Sequence, residues 1–443
     1  MAGRMQACSL IPLPWRAPLE ALGPFAEEPF ALALLSDGSP HGRWSYVMRQ
    51  PVRSFDSLQT LAAGTAVPSP LTSEDTPPFR GGAAGLASYE WGAALEPTAP
   101  QGRTQRWPDL VGGVYDHLLA FDHHQMRAWA IGRGATDAKA QARAEAARTM
   151  LDAPPRPPRR PSGAFEPRPF ATPYPEAVTE VVRAIAAGEI FQANIARAWT
   201  GQLAEGVAPF DLLAALVQQS PAPFAGYLRL PHGLAVVSNS PERFLSVDAA
   251  RRAHAQPIKG TRPRGRTPGL DAALAAELLA SAKDRAENLM IVDLMRNDLA
   301  RACRPGSVTV EALCALESFA NVHHLVSTIT GELRPDASAL DLFASAFPPG
   351  SVTGAPKLQA MQVIARHEPP RGPYCGSLFW SGPDGGFDAS VLIRTLACEQ
   401  DADGAWRFET RAGAGITADS DPQAEDAEAL AKIAAIRAVL EAR

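Results

Sequence analysis

Residues Leu270 to Cys303 read LDAALAAELLASAKDRAENLMIVDLMRNDLARAC, and two short segments follow, Ser307 to Leu313 and Val326 to Leu333. The first is rich in Ala, Leu and Met and holds no Pro or Gly, so it predicts one long helix. The next two are short and rich in β-branched residues, as strands are. Working outward, the same reading predicts helices at Tyr174 to Gly188, Pro209 to Gln219, Ser338 to Ala346, Ala355 to His367 and Asp421 to Arg443. Strands are predicted at Leu234 to Ser238, Arg243 to Val247, Gly376 to Trp380, Ala389 to Glu399 and Ala405 to Ala412. Long helices alternate irregularly with hairpin-like strand pairs instead of in strict β-α-β succession. The class is therefore α+β, with an antiparallel or mixed sheet.

Upstream, the compositional break at Pro154 to Pro175 carries Arg156, Arg159, Arg160 and Arg168 among closely spaced prolines, which exclude a regular helix or central strand. It predicts an N-terminal α+β region over 1–153, a Pro-rich linker over 154–175 and a second region over 176–443. Strand-like runs at Arg43 to Arg49 and Gly112 to Asp122 and an Ala-rich helix at Asp137 to Leu151 belong to the first region, and Thr65 to Gly82 reads as a surface loop. No internal repeat is present.

The 443 residues carry 42 Lys plus Arg against 47 Asp plus Glu, a net charge of −5, which is too acidic for a generic nucleic-acid binder. A hydrophobic fraction of 46% supplies a large core and excludes wholesale disorder. Pro, Gly or charge interrupts every run before the roughly 18 apolar residues that a spanning helix needs, so no membrane association is expected. Trp15, Glu20, Glu27 and Glu28 interrupt the N-terminus where a secretory segment would be apolar, and the expected location is cytoplasmic. Cys8, Cys303, Cys314, Cys375 and Cys398 are odd in number and scattered, which argues against a disulfide framework or zinc ribbon.

Two predicted helices each place carboxylates three residues apart on one face: Asp284 with Glu287, and Glu425 with Glu428. Such pairs suit a hard cation such as Mg²⁺, and equally a solvated face near a helix start. The Gly-rich turns Gly350 to Lys357 and Ala412 to Ile416 can expose backbone N–H groups to an anion or simply turn the chain. The first is no phosphate loop, because Leu358 follows Lys357. Lys259, among small and apolar neighbours, is a nucleophile if desolvation lowers its pKa and a solvated cation otherwise. His323 and His324 precede a strand, where neighbours face opposite ways, so at most one enters a site. Zinc-hydrolase and serine-hydrolase signatures are absent.

In order and spacing, these segments resemble the chorismate-utilising enzymes. The resemblance rests on Ser238 to Phe244, Pro257 to Arg262, Lys283 to Leu294, Arg296 to Leu299, Val322 to Ser327, Gly350 to Lys357, Ile393 to Leu396 and Ala412 to Ser420. Gly81 to Glu90 extends it more loosely to the N-terminal part. It implies antiparallel sheets forming a sandwich flanked by helices, with chorismate and Mg²⁺ in a cleft. Glu287 and Glu428 would hold the metal directly, with Asp284 and Glu425 assisting through water. Arg394 and the backbone of Gly413 and Gly415 would clamp a substrate carboxylate. Thr261, Gln192, Lys357 and Trp380 would share in substrate binding; Trp380 stands where the family usually has Tyr.

Three positions imply the branch of the family. Members that add water use a Lys base where this chain has Gln192, and a carboxamide has no basic pKa. Lys259 stands where anthranilate-forming members have Ala, and matches the branch that aminates C4 of chorismate. Glu242 matches the general acid for the departing C4 hydroxyl, and His324 would orient the ring region. The resemblance thus implies covalent catalysis by Lys259 in the formation of 4-amino-4-deoxychorismate, with anthranilate synthesis as the alternative. No Cys here has a glutaminase setting, so ammonia would come from a separate glutamine amidotransferase subunit. In related proteins the N-terminal sandwich can hold tryptophan, and Leu32 to Arg49 is the segment where such a site would lie.

Overall fold

The computed structural model describes residues 7–62, 76–157, 159–318 and 322–441. Among these, every strand pairing is antiparallel, in a 12-stranded sheet and a 10-stranded sheet. The centre of the larger sheet runs Leu32–Leu35, Phe224–Leu230, Leu234–Ser240, Thr395–Gln400, Trp406–Ile416 and Gln192–Gln202. The smaller runs from Ile258–Pro263 through Val322–Glu332, Arg252–Ala255, Arg243–Val247, Phe387–Ser390 and Ser377–Ser381 to Gly82–Ala87 and beyond.

The two sheets pack face to face. Leu32, Tyr46, Leu228 and Val236 of the larger sheet share one buried cluster with Ala84, Leu86, Leu378 and Trp380 of the smaller. Helices cover the outer faces. Ile291, Val292, Met295 and Phe343 pack on Phe244, Leu245 and Phe387, while Leu212, Leu216, Ile436 and Val439 pack with Tyr227 and Val237. The fold is α+β, an antiparallel sandwich flanked by helices.

Strand pairing crosses the expected boundary between 1–153 and 176–443. Leu32–Leu35 pairs with Phe224–Leu230, and Gly82–Ala87 pairs with Ser377–Ser381, so both sheets combine early and late strands. The Pro-rich stretch is also tied down: Glu166–Arg168 pairs with Gln192–Gln202, and Arg156 donates to Asp211 at 3.0 Å. The single helix expected over Leu270 to Cys303 is two, Pro268–Ala280 and Ala282–Ala300, because Ser281 adopts an extended conformation and caps the second helix. The expected loop Thr65 to Gly82 lies outside the described residues as far as 75. No helix among the described residues is long and apolar enough to cross a membrane.

Candidate active site

A cleft of about 610 Å³ opens beside the Trp406–Ile416 and Ile258–Pro263 strands and the helices Ala282–Ala300 and Pro422–Lys432. Of the sequence-predicted residues, Glu242, Lys259, Thr261, Asp284, Glu287, His324, Arg394, Gly413, Gly415, Glu425 and Glu428 all line it.

Glu242 lies between the strands Leu234–Ser240 and Arg243–Val247, where its backbone N–H donates to Ser240 Oγ at 3.2 Å. Burial pushes its carboxyl pKa above the usual range, against the opposing effects of the Lys259 charge and a hydrogen bond with the Ser351 side chain. Lys259 is half-buried, and its Nζ donates to Ser351 O at 3.2 Å. Ser351 therefore connects the amine and the acid.

Gly260, next to Lys259, has a φ of +78°, and a Cβ there would lie 2.8 Å from Leu278 Cδ1 and 3.0 Å from Asp284 Cβ. The close approach of strand to helix requires glycine. His324 Nδ1 shares a hydrogen bond with Thr261 Oγ1 at 2.9 Å, and burial lowers the imidazole pKa to about 4, so the ring is neutral near pH 7. Its neighbour His323 faces away, bonding Ser318 and Asp271. Arg394 holds a left-handed φ of 52°, and burial without an offsetting carboxylate lowers its pKa. Among the described residues no carboxylate pairs with it, so its cation suits a ligand carboxylate.

The four expected metal carboxylates share one wall, and a cation already stands among them. Lys283 Nζ lies 3.9 Å from Glu287 and 3.7 Å from Glu425, Lys432 Nζ lies 2.7 Å from Glu428, and Arg262 lies 3.4 Å from Asp284. Burial raises the Glu287 pKa; Lys259 and Lys283 oppose this, while Asp284 and Glu425 add to it. No three His, Cys, Asp or Glu side chains among the described residues converge closely enough to hold a metal as they stand. The donor set is nevertheless all oxygen, and the intervening ammonium marks a place that favours positive charge, which fits a hard divalent ion.

Three expected substrate residues lie elsewhere. Trp380 is in the strand Ser377–Ser381, buried against Phe79 and Tyr46 between the sheets. It lines a separate cavity of about 200 Å³ with Leu34, His41, Arg43, Tyr46, Phe224 and Arg243. Successive strand residues face opposite sides, and Trp380 takes the inter-sheet side. Lys357 points its Nζ at Asp298, 2.8 Å away, and at the Ala346 carbonyl, 2.5 Å away; it joins three helices and does not line the cleft. Gln192 is fully buried against Gly415, with both amide atoms unpartnered among the described residues, and does not line the cleft.

Sequence reasoning missed Asn194, Lys283, Ser351, Tyr374, Arg411 and Lys432, which also line the cleft. Asn194 was legible only by reading Gln192–Gln202 as a strand paired with the Gly-rich segment, where it sits opposite Gly415. Beneath it lies a buried network. Arg371 donates to Asn194 O at 2.6 Å, Val352 O at 3.0 Å and Glu368 at 2.8 and 3.1 Å, and Glu368 accepts from the Ala196 N–H at 2.8 Å.

A family model described as chorismate binding enzyme matches residues 36–438, and the chain belongs to that family. Its relatives include aminodeoxychorismate synthase component 1 of Salmonella typhimurium, 36% identical over 96% of this chain and 96% of that protein. An aminodeoxychorismate synthase of Streptomyces pristinaespiralis is 39% identical over 87% of this chain but 54% of its own length, so the chain spans about half of that relative. Among solved structures, anthranilate synthase component I from Streptococcus pneumoniae TIGR4 superposes with a TM-score of 0.77 at 26% identity, covering 89% of this chain and 92% of that one.

Proposed function

We propose that the chain aminates chorismate at C4, giving 4-amino-4-deoxychorismate for 4-aminobenzoate and folate synthesis, the activity for which its aminodeoxychorismate synthase relatives are named. The observation that carries this reading is an amine and a buried carboxyl, Lys259 and Glu242, held around Ser351 in one cleft.

Lys259 Nζ, as the free amine, attacks C2 of chorismate. The ring double bonds shift toward C4, and the C4 hydroxyl leaves as water with a proton from Glu242. Ammonia then attacks C4 and loses a proton, the double bonds return, and the C2–Nζ bond breaks with its electron pair restored to Lys259. The enolpyruvyl group is retained. Neutral His324 with Thr261 orients the ring region, and Arg394 with the backbone of Gly413 and Gly415 receives a carboxylate. Glu287 and Glu428, with Asp284 and Glu425 through water, would hold Mg²⁺, which when bound neutralises and positions a substrate carboxylate. Gln192 stands at the sequence position of the Lys in water-adding members, and a carboxamide has no basic pKa, which supports amination over hydration.

The relatives' name, component 1, supports a second component, which we take to be a glutamine amidotransferase that supplies ammonia in the cytoplasm. The cavity lined by Leu34, Tyr46, Arg243 and Trp380 is the candidate tryptophan-type site. The test is product analysis of the purified chain with chorismate, Mg²⁺ and ammonium by chromatography and mass detection. An amine that keeps the enolpyruvyl group supports the reading. Anthranilate with pyruvate, the alternative within the family, contradicts it.

A further inference from the structure

Asn194 pairs across the sheet with Gly415 and lines the cleft. It is 7% exposed, and its Oδ1 is buried without a hydrogen-bond partner among the described residues. An orphaned buried acceptor costs free energy, so a site that retains one has a use for it when a ligand brings the donor. The backbone here is fixed on both sides. The Asn194 N–H donates to Thr353 O at 2.9 Å, and the Asn194 carbonyl accepts from Arg371.

The identity of the donor follows from the chemistry of the reaction proposed above, on which this inference rests. Chorismate at neutral pH is a dicarboxylate whose ether and carboxylate oxygens only accept hydrogen bonds. Lys259, Arg262, Arg394 and Lys432 in the cleft are donors that suit those oxygens. The one donor that chorismate carries is the C4 hydroxyl. The second substrate, ammonia, donates through N–H and enters at the same carbon.

We infer that Asn194 Oδ1 is the acceptor of a C4 subsite. It takes the hydrogen bond of the C4 hydroxyl in bound chorismate and, once the hydroxyl has left, that of incoming ammonia, whose lone pair stays free to attack C4. A carboxamide suits this task because it has no basic site that would lose its proton to ammonia or compete for one.

The test is steady-state kinetics of the full chain with ammonium as nitrogen source, alongside intact-mass measurement of the Lys259 adduct. Asn194→Ala is expected to raise the ammonium KM about tenfold, the scale of one lost hydrogen bond, and to slow ammonium-dependent decay of the adduct. Its unfolding midpoint should stay at the wild-type value. Asn194→Asp, which keeps an oxygen acceptor of the same shape, should recover part of the loss. If Asn194→Ala does not fold, Asn194→Val, which also removes the acceptor and suits a strand, is read in the same way. An ammonium KM within about twofold of wild type in the folded variant overturns the Asn194 assignment alone. If the unaltered chain forms no C4 amine, the proposed function fails and takes this inference with it.

Discussion

Gly415 lies directly against the Gln192 carboxamide: a Cβ on Gly415 would stand 1.9 Å from Gln192 Nε2. Gln192 is fully buried, so its carboxamide has to shift within the packed interior to admit a methyl group. Gly415→Ala should therefore destabilise the chain by roughly 1–3 kcal/mol, the usual cost of overpacking. Urea unfolding checks this, and an unchanged midpoint would mean that the carboxamide moves freely.

Glu242→Gln keeps the shape of the acid and removes its proton. Turnover should fall about 10²- to 10⁴-fold while chorismate still binds. Burial raises the Glu242 pKa, and the acid form is the active one. Wild-type chemistry should therefore decline as pH rises through that raised pKa. Single-turnover rates across pH test this: a high-pH limb that survives in Glu242→Gln assigns the acid elsewhere.

His324 has a folded pKa of about 4 against 6.5 for an ordinary imidazole, because burial disfavours its cation. Between those values the unfolded chain binds more protons than the folded one, so stability falls as pH drops from 6.5 toward 4. The contribution is at most about 3 kcal/mol at pH 7. Comparing wild type with His324→Asn by chemical denaturation at pH 5 and pH 7 should show a shallower loss in the variant. Equal pH slopes would count against the buried neutral ring.

Arg371 and Glu368 have side chains that are each 1% exposed, and together they tie Asn194, Val352 and Ala196 beneath the cleft. Arg371→Met leaves the Glu368 charge buried without its main partner, and a loss of about 3–5 kcal/mol is expected. Replacing both partners with apolar residues should cost less than Arg371→Met alone. A double mutant no better than the single would show that the carbonyl contacts of Arg371 matter more than its charge.

Removal of divalent ions with a chelator should abolish turnover, and added Mg²⁺ should restore it. Glu287→Gln should weaken Mg²⁺ binding measured by calorimetry in the presence of chorismate, because one anionic oxygen donor is lost. Binding as tight as wild type would remove Glu287 from the ligand set.

Much of the fold was legible because periodicity and punctuation agreed. Arg243–Val247 and Pro209–Gln219 match their predicted bounds, and His323 and His324 do face opposite ways. Other elements were hidden by tertiary effects. The predicted strand Ala389 to Glu399 is two, Phe387–Ser390 and Thr395–Gln400, because Arg394 turns the chain through a left-handed conformation. Gln192–Gln202 is buried along most of its length and shows no alternation, so it went unread as a strand, and Asn194 with it. Trp380 and Lys357 carried a family position or a motif's charge, but strand facing and the Asp298 partner decide where those side chains go. Spacing could pair the carboxylates within each helix; only the fold could set the two helices on one cleft.

The central claim is that Lys259 becomes covalently joined to C2 of chorismate. The direct measurement is the intact mass of the chain after incubation with chorismate and Mg²⁺ in the absence of ammonium, for wild type and Lys259→Ala. The account predicts a gain equal to chorismate less one water in wild type, mapped to Lys259 and discharged by ammonium, and no gain in Lys259→Ala. A wild-type chain that makes product without ever carrying this mass, or the same adduct in Lys259→Ala, would contradict it.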